Sequence, residues 1–118
     1  KYKKTFFINN FGKHSRDFTY IDDVTDMVFN LFLKYKKTKI FDYFNICSNN
    51  PVSLMKVISY IIQYSKNVKL KKIKFQKADV FKTHGSNKKI FKIKKYKKFR
   101  KIFSSLDNTI DWHKKINY

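Results

Sequence analysis

The sequence offers few side chains whose type and spacing could do chemistry. Of its 28 basic residues, 26 are lysine, and Arg16 and Arg100 are the two arginines. A guanidinium pairs two oxygens of an anion in a fixed fork, which a lysine ammonium does not. Arg16 is therefore the first candidate for anion recognition, against the plainer role of an ion pair with Asp17 or Asp22. All 8 acids are Asp. Asp22, Asp23 and Asp26 cluster as if for acid/base or metal work, but they lie where a helix begins, which favours capping and dipole roles. His14, His84 and His113 are scattered without metal-ligand spacing, so no metal is expected. Cys47 stands alone, which excludes a disulfide framework and a cysteine-rich zinc site.

The elements that must position these residues read as a mixed α/β order. Thr5–Ile8 is β-prone, Asn9–Gly12 is a turn, and Arg16–Ile21 is a second extended run. Asp22 or Asp23 is expected to cap a helix with Val24, Met27, Val28, Leu31, Phe32 and Tyr35 on one stripe. Tyr43–Cys47 reads as a buried strand. Ser53 is the expected N-cap of a helix striped by Leu54, Val57, Ile58, Ile61 and Ile62. Lys69–Phe75 is a weak strand and Gln76–Gly85 a loop. Ser86 would cap a short helix to Ile93, and a last helix spans about 102–116, with Trp112 expected to pack. The strands look like additions to some larger sheet.

Composition narrows the classes further. The chain has 118 residues, enough for one domain or a piece of one, and 42% are hydrophobic and 19% aromatic, which argues against disorder. No apolar run approaches the roughly 20 residues of a membrane-spanning helix. No signal peptide is visible, so a cytoplasmic location and no membrane partner are expected. The chain opens on Lys1 rather than Met, as part of a longer chain would. The net charge of +20 invites a nucleic-acid reading. The scarcity of Arg, the usual reader of base edges, weakens it. The run Lys88, Lys89, Lys92, Lys94, Lys95, Lys97 and Lys98 reads as a solvated face.

Two segments are more specific. They are Gly12-Lys13-His14-Ser15-Arg16-Asp17-Phe18-Thr19-Tyr20-Ile21-Asp22-Asp23 and Phe44-Asn45-Ile46-Cys47-Ser48-Asn49-Asn50-Pro51-Val52-Ser53-Leu54-Met55. Together they resemble the G-x-x-S-R-D-F-T-Y-I-D-D and F-N-I-G-N-x-x-P-V-x-L-M segments of the NAD-dependent nucleotide-sugar epimerase/dehydratase family, and most of all the UDP-glucuronate 4-epimerases. Gln76-Lys77-Ala78-Asp79-Val80 stands where that subgroup has Q-P-G-D-V, and Ile110-Asp111-Trp112 where it has V-D-W. The resemblance covers nearly the whole chain and maps to the last third or so of a family member.

What the resemblance implies is an α/β fold. The chain would be the C-terminal, substrate-binding portion of an extended Rossmann-type epimerase, with few strands plus about four helices and the NAD-binding half absent. Residues 1–118 would form a single partial domain. Arg16 would reach the diphosphate of a UDP-sugar or the nucleoside beside it. Asp79 would accept hydrogen bonds from the ribose hydroxyls, against the plainer role of closing a local turn, and Gln76 would lie near the nucleotide. In an intact enzyme of this family, NAD oxidises the sugar C4 hydroxyl and returns the hydride to the other face. This chain would hold no NAD-binding residues and no catalytic residue, because the family's Y-x-x-x-K pair belongs to the absent Rossmann half; Tyr60, Tyr64, Tyr2 and Tyr20 also lack the Lys four positions on. Its partners would be the UDP-sugar and a Rossmann half in the same or a separate chain, with a homodimer possible when intact and no specific nucleic acid. A non-functional remnant of such an enzyme and a Lys-rich nucleic-acid-binding module are the alternatives. The pattern departs from the family at Lys77-Ala78, in place of Pro-Gly, and at Cys47, in place of Gly.

Overall fold

The structure is a computed structural model that describes residues 4–39, 41–65, 67–93 and 98–116. In chain order its elements are β1 (Lys4–Ile8), β2 (Ser15–Arg16), α1 (Ile21–Tyr35), β3 (Val52–Ser53), α2 (Leu54–Ile62), β4 (Val68–Lys72), α3 (Lys88–Phe91) and α4 (Ile102–Ile116). The α/β class, the few strands and the four helices are those the sequence leads one to expect.

The strands form two small sheets. In the first, β1 runs parallel to β4, with Phe6 opposite Leu70 and Ile8 opposite Lys72. Parallel strands are normally covered on both faces. Here Phe6 and Phe7, which point to opposite faces, are 52% and 63% exposed. The pair is bare on both sides.

A left-handed turn follows β1. Asn10, Phe11 and Gly12 all have positive φ (49°, 52° and 81°). Gly12 is needed here twice over: its φ suits glycine, and a Cβ would run into the Met55 sulfur. The turn delivers β2 to the centre of the second sheet. On one side β2 pairs antiparallel with β3, Ser15 opposite Ser53 and Arg16 opposite Val52. On its other side the Ser15 amide donates to the Phe81 carbonyl (3.1 Å), and the Thr83 amide to the Ser15 carbonyl (3.1 Å). The 76–85 loop is thus tied alongside β2.

Four expectations need correction. Helix α1 starts at Ile21 with Tyr20 as its N-cap, and no side chain caps it. Asp22 and Asp23 instead lie in the first turn, where their charge suits the helix dipole. They hold Arg100: Nη1 reaches Asp22 at 3.0 Å, Nε reaches Asp23 at 3.3 Å, and the Arg100 amide donates to Asp23 at 2.9 Å. Tyr43–Cys47 is not a strand: residues 41–48 have no regular structure, and Tyr43 is 79% exposed. A strand needs a ladder partner, and among the described residues no backbone pairs with this segment. Trp112 is 60% exposed rather than packed. Ser53 occupies the N-cap position of α2 as expected, whereas Asn87 rather than Ser86 occupies that of α3, neither with a side-chain cap bond.

The core is small. Met27 of α1, Ile90 of α3 and Phe99 are buried together, with Leu31, Phe44, Ile46 and Phe91 packed around them. Helices α2 and α4 meet through the Tyr60 and Phe103 rings, 5.2 Å apart, and through Tyr60 Oη donating to Asp107 at 2.6 Å. Much of the α1 stripe stays uncovered: Val28 is 52% and Phe32 61% exposed. No helix among the described residues is long and apolar enough to cross a membrane.

Candidate functional site

The central strand β2 carries the site. Arg16 extends from it toward the loop tied along its edge. Its Nη1 donates to the carbonyls of Ser15 (2.9 Å) and Phe81 (3.2 Å), and its Nη2 donates to Asp79 Oδ1 (2.9 Å). The pair joins residues 63 positions apart and is about a quarter exposed, 25% for Arg16 and 27% for Asp79. Two of the three expected binding residues therefore meet, and Arg16 pairs with neither Asp17 nor Asp22. Gln76 enters through the backbone: its carbonyl accepts the Asp79 amide at 3.0 Å, closing the turn that presents Asp79, while its side chain is exposed. The local-turn role for Asp79 and its place beside Arg16 are both present.

Two further residues belong to the site, and reasoning from the sequence passed them over. His14 is 1% exposed, and its Nε2 lies 3.2 Å from Asp79 Oδ2 without forming a hydrogen bond. Phe75 and Phe81 flank the ring, each with a centroid 6.1 Å away. Weighed only as a metal ligand, His14 had no partner in the sequence. The period of an extended chain was the available signal, since His14 and Arg16, two apart, face one side. Among the described residues, no three His, Cys, Asp or Glu side chains gather as a metal site.

The second is Asp17. Its carboxylate accepts from the Ser48 hydroxyl (2.5 Å) and from the amides of Asn49 (3.1 Å), Asn50 (3.3 Å) and Gly85 (3.1 Å). Burial alone would push this carboxyl up, but the hydrogen bonds from Ser48, Gly85, Asn50 and Asn49 outweigh it and hold the group below the ordinary carboxylate range. The Asp17 amide also donates to Thr83 Oγ1 at 3.1 Å. Asp17 thus staples the end of the Asp79 loop and the 48–50 turn to β2, one residue beyond Arg16. Cys47 packs beneath this staple: a Cβ on Gly85 would collide with it, and burial followed by the nearby Asp17 charge pushes its thiol up.

Elsewhere the lysines read as expected. Lys88, Lys92 and Lys98 are exposed, and Lys89 pairs with Asp42. Lys94, Lys95 and Lys97 lie outside the described residues. A cleft of about 590 Å³ between the 48–52 turn and residues 98–103 includes Asn49, Phe91, Lys98 and Arg100, but not Arg16, Asp79 or Gln76.

The likeness to known structures bears on this arrangement. The chain superposes with a TM-score of 0.80 on the UDP-glucuronic acid 4-epimerase of Bacillus cereus, solved with UDP-glucuronic acid and NAD; 97% of the chain and 36% of that enzyme are covered, at 24% identity. The fold is that of the C-terminal part of an epimerase. MoeE5, solved with UDP-glucuronic acid and NAD, matches with a TM-score of 0.74 and 18% identity over 95% of the chain and 37% of its own. In sequence, the chain is 34% identical over 106 residues to the uncharacterized protein MJ1055 of Methanocaldococcus jannaschii, covering 89% of this chain and 32% of that protein. No family model matches. The chain thus spans about a third of the length of the proteins it matches.

Proposed function

We propose that this chain is the nucleotide-sugar-binding part of an NAD-dependent 4-epimerase acting on a UDP-glucuronate-like sugar. The observation that carries the reading is the meeting of Arg16 and Asp79 on one edge of β2. A guanidinium held by two carbonyls is pre-aimed at a diphosphate. A neighbouring carboxylate suits the hydroxyls of the attached ribose. Gln76, on the same turn, has an exposed side-chain amide that suits hydrogen bonds to the base. The epimerase fold supports the assignment.

The chemistry belongs outside this chain. NAD needs a glycine-rich turn that lets backbone amides approach its pyrophosphate. The two glycines here, Gly12 and Gly85, are committed to close packing on Met55 and Cys47, so the residues present do not fit the cofactor. In this reading the dinucleotide-binding half lies in the same polypeptide or in a separate one. The intact mass of the endogenous product distinguishes them: about three times 14.4 kDa for one polypeptide, or 14.4 kDa with a co-purifying Rossmann partner for two.

Calorimetric titration with UDP-glucuronate tests the site. Loss of a charge-assisted bond of about 1.5–3 kcal/mol predicts that Arg16→Ala weakens binding about 10- to 150-fold. An unchanged affinity would overturn the assignment, and no binding by the unaltered protein would leave the remnant alternative.

A further inference from the structure

A second concave surface lies apart from Arg16, in the cleft between the 48–52 turn and residues 98–103. We propose that this cleft binds an acidic sugar, a hydroxylated ring that carries a carboxylate or a phosphate. The inference goes beyond the nucleotide-sugar reading and does not depend on it, since Arg16, Asp79 and Gln76 all lie outside the cleft.

The lining calls for an anion. Lys98 and Lys101 border the cleft, and among the described residues neither has an ion pair. No carboxylate is among the described residues that line it. Arg100 also reaches it, but its charge is spent on Asp22 and Asp23. Asp17 stands behind the 48–50 turn, its carboxylate taken up by the Ser48 hydroxyl and three backbone amides. Helix α4 starts at the cleft, with Ile102 and Phe103 in its wall and no acidic residue in its first turn. The positive end of the helix dipole therefore adds to the two lysines.

The same lining calls for a hydroxyl. Asn87 is 7% exposed and lines the cleft. Its side-chain nitrogen donates to the carbonyls of Cys47 (3.1 Å) and Ser48 (3.4 Å). Two carbonyls on one side fix which end of the amide is the NH2. The other end is an oxygen, and among the described residues no donor reaches it. An unfilled acceptor on so buried a side chain requires a cause. An ionised carboxylate cannot fill it, because it donates nothing, but a hydroxyl on the same ligand can. Asn50 adds an exposed side-chain amide. The rings in the wall favour a sugar over a nucleobase. Phe91 and Phe99 pack edge to face on each other at 5.6 Å, and Phe103 packs against Tyr60 at 5.2 Å. A base stacks on open aromatic faces, whereas the C–H face of a pyranose needs only apolar walls. The volume of about 590 Å³ falls within the range of small-molecule sites.

The test is a 15N-detected titration of the whole protein, with its partner half where the natural product has one. The first probe is cellobiouronate, a disaccharide with one carboxylate. It should move the side-chain amide signals of Asn50 and Asn87. Cellobiose, which has a hydroxymethyl group in place of the carboxylate, should bind about 2- to 30-fold more weakly, the share that two exposed lysines contribute. Neither readout needs a variant. Reversing both charges with Lys98→Glu and Lys101→Glu should weaken cellobiouronate further than cellobiose is weakened. Glucose 1-phosphate tells which acidic group the cleft prefers, and tighter binding of either acidic sugar supports the proposal. Signals that move only at Arg16, an Asn87 amide unmoved by both acidic sugars, or equal affinity for cellobiose and cellobiouronate would overturn it. So would UMP binding in the cleft more tightly than both acidic sugars, which would make it a nucleotide site. Each of these results leaves the nucleotide-sugar reading standing, because that reading is tested by Arg16→Ala with UDP-glucuronate.

Discussion

Removing the Asp17 carboxylate should loosen the site without touching a ligand contact. Asp17→Ala leaves the Ser48 hydroxyl and the amides of Asn49, Asn50 and Gly85 without their acceptor. The Asn49 and Asn50 bonds are exposed, so water replaces them at little cost. The Ser48 and Gly85 bonds are partly buried. A bond to a charged group contributes about 1.5–3 kcal/mol, and the burial that opposes ionisation of Asp17 offsets part of it, so the two together should be worth about 2–3 kcal/mol. Native-state amide exchange is the assay, because it reads local opening whether or not global unfolding is cooperative. At about 1.36 kcal/mol per decade, exchange at Gly85 and its neighbours should accelerate about 30- to 160-fold. Exchange within threefold of the unaltered protein would refute the idea that Asp17 staples these loops. The sign with pH follows. The folded carboxyl is held below its ordinary value, so its contribution is fully present above about pH 4 and is lost as pH falls through the folded value. Protection in 83–87 should fall on acidification in the unaltered protein and be flat over the same range in Asp17→Ala.

Three other outcomes are expected. Gly12→Ala, which puts a Cβ against Met55 at a φ of 81°, should cost about 1–2 kcal/mol from the backbone alone; combined with Met55→Ala it should cost less than the sum of the two, whereas strict additivity in protease resistance would argue against the contact. The Tyr60 phenol, raised first by its bond to Asp107 and then by Tyr64, should stay protonated past the ordinary value of about 10 in an ultraviolet titration. Its contribution is present below that value and fades as pH rises through the folded one, and Asp107→Asn, which removes the largest cause, should bring the titration back toward the ordinary value. The 118-residue chain on its own should bind a hydrophobic dye and unfold over a broad range, since Phe6, Phe7, Phe29, Phe32 and Phe41 are all more than half exposed; a sharp cooperative melt without partners would contradict this.

Helices and turns were legible in the sequence where their causes are local. The α1 stripe, the helix from Ile102 and the turn at Asn9–Gly12 follow from periodicity and turn residues within a dozen positions. Tyr43–Cys47 was not, because an alternating apolar segment becomes a strand only if a neighbour completes its hydrogen bonds. The candidate site divides in the same way. Arg16 stands out by its rarity and Asp79 by its motif. The staple at Asp17 joins three segments separated by 31 and 68 positions, and no local pattern encodes such a meeting. His14 was hidden for another reason: the sequence shows a histidine, and only the fold shows that it is sealed under Asp79.

The distribution of satisfied and open surface supports a division of labour. A compact chain of 118 residues should have a radius of gyration of roughly 13.5 Å, whereas this one measures 17.8 Å and spans 57 × 37 × 21 Å. The excess comes with exposed apolar side chains on β1, on the outer face of α1 and at Phe41. Yet the contacts that place Arg16, Asp79 and His14 are internal: β3 and the 81–83 edge clamp β2, and Asp17 ties both flanking loops to it. What is unfinished is the support, not the geometry. A partner domain that covered the bare sheet and helix would therefore raise stability without having to build the anion site. The prediction that separates this from an induced site is quantitative. The chain alone and the completed assembly should bind UDP-glucuronate through the same Arg16-dependent increment of about 1.5–3 kcal/mol, even if the total affinities differ. An Arg16→Ala penalty that appears only in the assembly would mean the site is made by the partner.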